Sequence, residues 1–187
     1  MVFAKRHILL ISHGPFEKYY LDLLADKVMQ VFEYPVMISE CNHDLNEFYV
    51  PERRQYDANK ILHYLTELPK TSAIKTIALL RVDLFIPILT YIFGQALFKG
   101  DKGVVSIFRL RNEQYGLEPH EELLIKRMIK VVIHELGHTF GLVHCVNPDC
   151  VMRGNTYVEE IDQQPYDPCI RCQEIIRSKA DQDSASE

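Results

Sequence analysis

His134-Glu135-Leu136-Gly137-His138-Thr139-Phe140-Gly141-Leu142-Val143-His144 is the stretch on which the reading of this chain turns. Residues four apart in an α-helix lie about 40° apart around the axis and one turn along it, so His134 and His138 can offer two imidazoles to one metal ion. Glu135 stands beside them, placed to take a proton from a metal-bound water. His144 can join only if the helix ends first. Six more helical residues would add about 9 Å of rise and turn the side chain roughly 120° from His138. Gly141 lies midway and tolerates the left-handed backbone that such an exit needs. Three histidines leave a fourth zinc position open, which is the catalytic rather than the closed structural arrangement. A bare HExxH arises by chance. The added glycine and third histidine are far more specific, and the motif sits on a helix with apolar residues at Leu124, Met128, Val131 and Val132. His7, His13, His43, His63 and His120 share no such spacing and read as ordinary surface or core residues.

Beyond this stretch, Cys145 follows the third histidine directly, and Cys150, Cys169 and Cys172 come after it, the last pair as C-x-x-C. Two pairs of thiolates fit one closed tetrahedral zinc; free thiols or disulfides are the alternatives. A metal here would staple a segment with little apolar material of its own and, because Cys145 adjoins His144, would also fix the third histidine. Cys41 has no partner in this scheme and reads as a buried structural residue. Ser178–Glu187 is polar and reads as a frayed, disordered tail.

Upstream, His7–Ser12 reads as a buried strand, Phe16–Phe32 as an amphipathic helix ended by Pro35, and Val36–Ser39 as a short strand. Asp57–Leu68 reads as a second helix and Ile74–Val82 as an apolar strand. Tyr91–Phe98 and Val104–Leu110 read as two strands joined by a turn around Gly100–Gly103, and Glu121–Phe140 is the longest helical pattern. The order implies an α/β fold with one mixed sheet. At 187 residues, 47% of them hydrophobic, the chain suits one domain, placed at residues 1–177. A formal net charge of −5 and no Lys/Arg cluster argue against a nucleic-acid partner. The N-terminal apolar run is too short for a secretory signal. The longest uncharged run, Leu84–Phe98, is broken by Pro87 and Gly94 and too short to span a membrane. The expectation is a cytoplasmic protein, with a monomer favoured.

The extended histidine motif with a downstream Met152 is the metzincin pattern. Its form here, HELGHTFGLVHC followed by C-x4-C-x-M and a later C-x-x-C, resembles the archaemetzincins. Arg54-Gln-Tyr56, Val82-Asp-Leu84, Phe93-Gly-Gln-Ala96 and Val105–Leu110 are similar to further blocks of that family. The resemblance implies a five-stranded mixed sheet over a horizontal cleft, with an antiparallel edge strand that binds an extended peptide by strand addition; Tyr91–Phe98 is the candidate. It implies His134, His138 and His144 as ligands of a catalytic zinc, Glu135 as general base, Cys145, Cys150, Cys169 and Cys172 as ligands of a structural zinc, and Met152 beneath the first metal. Some metzincin branches carry a Tyr two residues past that Met; here the position is Gly154, and Tyr157 is nearby.

The function these readings imply is a zinc-dependent peptidase, acting on peptides as aminopeptidase or endopeptidase through a metal-activated water. The alternatives are a catalytically silent zinc-dependent module that binds peptide or protein, and a cysteine cluster serving recognition. Glu135 argues against the silent module, because a binder has no need of a base.

Overall fold

The computed structural model describes residues 6–184. In chain order its elements are β1 (His7–His13), α1 (Lys18–Phe32), β2 (Val36–Cys41), β3 (Tyr49–Val50), β4 (Gln55–Asp57), α2 (Ala58–Glu67), β5 (Ala73–Leu80), β6 (Leu84–Phe85), β7 (Gly94–Ala96), β8 (Lys102–Ser106), α3 (Glu121–Thr139), α4 (Val158–Gln163) and α5 (Ile170–Ser184). Five strands form one sheet in the order β2-β1-β5-β8-β7. β1 pairs in parallel with β2 and β5, β5 in parallel with β8, and β7 lies antiparallel on β8 at the edge.

The central strands are apolar on both faces because both faces are covered. Ile8, Leu10, Ile77, Leu79 and Val105 pack beneath α1 and α3 with Leu24, Phe32, Met128 and Val132. On the other face Ala78, Leu80 and Val104 meet Ala58, Ile61 and Leu65 of α2. Asp57 caps α2, its carboxylate accepting from the Asn59 N–H at 3.0 Å.

Several expectations need correction. Only Gly94–Ala96 of the Tyr91–Phe98 stretch runs in the main sheet; before it, Ile92 bridges to Leu84, and after it the chain turns, the Gly100 N–H donating to Leu97. The last strand stops at Ser106, and Phe108–Leu110 is a 3-10 turn. A second sheet, β3-β4-β6, is invisible to periodicity because its strands span two or three residues each. The cysteine-bearing segment, where periodicity marks no element, holds the helices α4 and α5. α5 carries no Gly or Pro and stays helical to Ser184, so the expected frayed tail from Ser178 is corrected to that point; residues 185–187 lie outside the described part. Cys41 ends β2 half-buried rather than in the core. Among the described residues no helix is long and apolar enough to cross a membrane.

The end of α3 follows the expectation closely. Gly141 has φ of 93°, its N–H donates to the His138 carbonyl, and the Leu142 N–H reaches back to the Gly137 carbonyl at 2.9 Å. That is the Schellman pattern, with a glycine in the one position that needs positive φ.

Candidate active site

α3 delivers His134 and His138 to one spot, their Nε2 atoms 3.0 Å apart, and the Schellman turn swings His144 back to them. The three rings gather at centroid distances of 4.7, 5.2 and 5.1 Å. One nitrogen from each lies within 4.8 Å of the others. Backbone carbonyls settle which nitrogen faces inward on two of them: His134 Nδ1–H donates to Val151 and His138 Nδ1–H to Leu142, both at 2.8 Å. Two acceptor lone pairs therefore face each other across 3.0 Å, an arrangement that calls for a cation between them. Burial pushes His134 down to about 3 and also lowers His138, so both rings are neutral, as a metal ligand must be. Zinc ligands about 2.0–2.1 Å from a tetrahedral ion sit roughly 3.4 Å apart, and these residues fit it with a small opening of the pair.

Glu135 is buried, and burial raises its carboxyl to about 8. A divalent cation on the neighbouring imidazoles favours the carboxylate and opposes that shift. The space for this carboxylate comes from Gly94 of β7: a Cβ there would lie 2.9 Å from Glu135 Oε1 and 2.7 Å from its Cγ. Two more glycines shape the site. Gly137 makes room for buried Met152, whose Sδ would be 2.4 Å from a Cβ, and Gly154 lies flat beside the His144 ring. Met152 thus packs against α3 at Gly137, one residue before His138. Nothing in the spacing of the sequence marked Gly94, Gly137 or Gly154 as partners of these particular side chains.

The four cysteines come together as the sequence implies. All are free thiols; Cys145 Sγ lies 3.8 Å from Cys169 Sγ, and Cys150 Sγ 3.8 Å from Cys172 Sγ. Disulfides would bring the sulfurs to about 2.05 Å. A tetrahedral zinc with Zn–S near 2.3 Å separates its sulfurs by about 3.8 Å, so the set fits a closed metal site. The backbone N–H of Cys172 is the main cause that draws the Cys169 thiol down to about 6, whereas burial raises Cys150 and Cys172, a shift that a bound cation would oppose. The Cys145 N–H donates to the Met152 carbonyl at 2.8 Å, which closes the loop that carries Cys150.

The histidines and Glu135 open on a cleft of about 670 Å³. Leu89–Ala96, which includes β7, and Asn155–Tyr157 both line it. The model of Peptidase family M54 matches residues 16–178. The chain belongs to that family, the archaemetzincins. It is 42% identical to an archaemetzincin of Thermococcus kodakarensis over 127 residues, 67% of this chain and 68% of that one. The solved archaemetzincin of Methanopyrus kandleri is similar with a TM-score of 0.84 at 29% identity, covering 97% of this chain and 98% of that one. A zinc-dependent peptidase of Methanocorpusculum labreanum gives a TM-score of 0.81 at 28% identity, over 90% and 99%. This archaemetzincin is accordingly a zinc metallopeptidase, and its three-histidine and four-cysteine clusters accord with the catalytic and structural zinc ions of the family.

Proposed function

We propose that Glu135 is the general base of peptide hydrolysis, that His134, His138 and His144 hold the catalytic zinc, and that Cys145, Cys150, Cys169 and Cys172 hold the structural one. The observation that carries this is the pair of facing Nε2 atoms with a buried carboxylate one residue away. Zinc supplies acidity to a water and polarises the scissile carbonyl. Glu135 takes the proton at its carboxylate and returns it to the leaving amine. Gly94, which abuts that carboxylate, opens the edge strand on which the substrate backbone pairs in extended form, so the bond to be cut lies beside the base. Residues 1–177 act as one peptidase domain on this reading. Its substrate is a peptide; a cytoplasmic setting, where cysteines stay reduced and able to bind zinc, and a monomeric chain complete the reading.

Zinc content and peptide cleavage, measured together on three proteins, test the assignment. Glu135→Ala keeps its zinc and loses turnover by about 10² or more, because the residue is not a ligand. His138→Ala loses metal itself. Turnover that survives in zinc-replete Glu135→Ala removes the base. Absence of turnover in zinc-replete wild type across a broad peptide library favours the silent binding module.

A further inference from the structure

The short segment Leu89–Tyr91, just ahead of β7, is held by an unusual number of side chains for a rim loop. The Arg53 guanidinium donates to the carbonyls of Leu89 at 2.8 Å and Thr90 at 3.0 Å, while lying 4.1 Å from the Phe85 ring centre. Gln55 donates to the Thr90 carbonyl at 3.0 Å and to Asp83 at 3.1 Å. Buried Asp83 takes two bonds from Arg109, at 2.9 and 2.5 Å, and the Arg109 guanidinium lies 4.8 Å from the Tyr91 ring centre. From this framework the Tyr91 hydroxyl reaches across and donates to the Thr156 carbonyl at 3.1 Å. The receiving wall is fixed as well: the N–H groups of Thr156 and Tyr157 donate to the Glu160 carboxylate at 2.7 and 3.0 Å. Tyr91 and Thr156 line the same cleft as His134 and Glu135, and so do Leu89 and Thr90.

We infer that the Tyr91–Thr156 hydrogen bond is a tie that closes one end of the substrate cleft and limits how far a peptide extends past the scissile bond on that side. The inference rests on the strand-addition reading above. Tyr91 precedes Gly94 by three residues, and Gly94 abuts the Glu135 carboxylate. At about 3.3 Å per extended residue three residues span at most about 10 Å, so the tie stands within that distance of the reacting position and leaves room for no more than about three residues of substrate. A peptide antiparallel to β7 runs toward Tyr91, so its C-terminal side meets the tie. Tyr91 is a positioning residue, and Arg53, Gln55, Asp83 and Arg109 are the frame that aims it. A purely structural role would not sort substrates by length.

Two peptide series sharing one cleaved bond, lengthened stepwise on the C-terminal or the N-terminal side, test this. The kcat/KM of wild type falls once the C-terminal side exceeds about three residues. Tyr91→Phe keeps the ring and loses the hydroxyl; it raises the long-to-short ratio about fivefold, the scale of one hydrogen bond. Arg53→Met, which frees the lip, moves the ratio the same way, and the N-terminal series separates none of the three proteins. Zinc content measured on each confirms an intact site. Length profiles that coincide for wild type and Tyr91→Phe, or a wild type indifferent to C-terminal length, overturn the tie. The same peptides titrated by calorimetry against Glu135→Gln, with and without Tyr91→Phe, read the limit as affinity. A failure of turnover would therefore count against the assigned chemistry and leave the tie separately tested.

Discussion

Glycines decide the geometry of this site at the scale of single residues. Gly94 is the sharpest case, because a methyl group there meets not only Glu135 but the Val104 backbone carbonyl at 2.9 Å, which cannot move aside. Gly94→Ala is therefore expected to push the Glu135 carboxylate out of place while leaving the histidines alone. Zinc content stays near wild type and kcat/KM falls by about 10², the usual consequence of an ångström of misplacement. Full activity in that variant would mean Glu135 has another place to stand. Gly137→Ala acts on Met152 instead. Helix propensity gains up to about 1 kcal/mol, but a Cβ 2.4 Å from Met152 Sδ overpacks a buried contact, which costs about 1–3 kcal/mol. The net expectation is a lowered melting temperature together with weaker zinc binding. A variant that melts higher than wild type would show that Met152 relaxes freely.

At the scale of elements, the consequential one is α3 and the way it stops. Gly141 at φ 93° donates one bond of the terminal turn and turns the chain so that Leu142 donates the other, and His144 follows that turn. Gly141→Ala is expected to cost about 1 kcal/mol or more of fold stability. Its larger effect falls on zinc affinity, since one of three ligands loses its approach; competition with a chromogenic chelator measures this directly. Equal affinities would detach His144 from the turn. This element was legible in the sequence to within a residue, because an apolar stripe, two histidines at helical spacing and one glycine all constrain the same backbone. The antiparallel edge was legible in kind but not in extent: Tyr91–Phe98 reads as one strand, yet Ile92 leaves the main sheet for Leu84. The three-stranded sheet around Gln55 was not legible at all, since its register is set by Asp83, Arg109 and Arg53 hydrogen bonds between distant segments and not by alternation. The seven metal-site residues were legible by spacing; the carbonyls of Val151 and Leu142 that orient His134 and His138 were not, because any residue type supplies a carbonyl.

For the whole molecule, two metal sites of unlike openness share one stretch of chain, from His134 to Cys172. The histidine site has an exposed ligand in His144, whereas Cys150 and Cys172 are buried. Graded chelation is expected to remove one zinc first, ending cleavage with helical content intact, and to remove the second only as the C-terminal segment unravels. Elemental analysis and far-ultraviolet dichroism on the same samples check the order. Concerted loss of both metals and of structure would contradict it, and Cys169→Ser, expected to retain one zinc per chain, supplies the control. The placement of these ligands also bears on how the protein is made. Every strand of the main sheet lies between His7 and Ser106, and every ligand lies later. A chain leaving the ribosome therefore exposes the roof of the cleft before its floor, the imidazoles before the thiolates that steady His144, and the second C-x-x-C cysteine last of all. Hydrolytic competence is in this sense acquired late, when the sheet that aligns a substrate has already been synthesised.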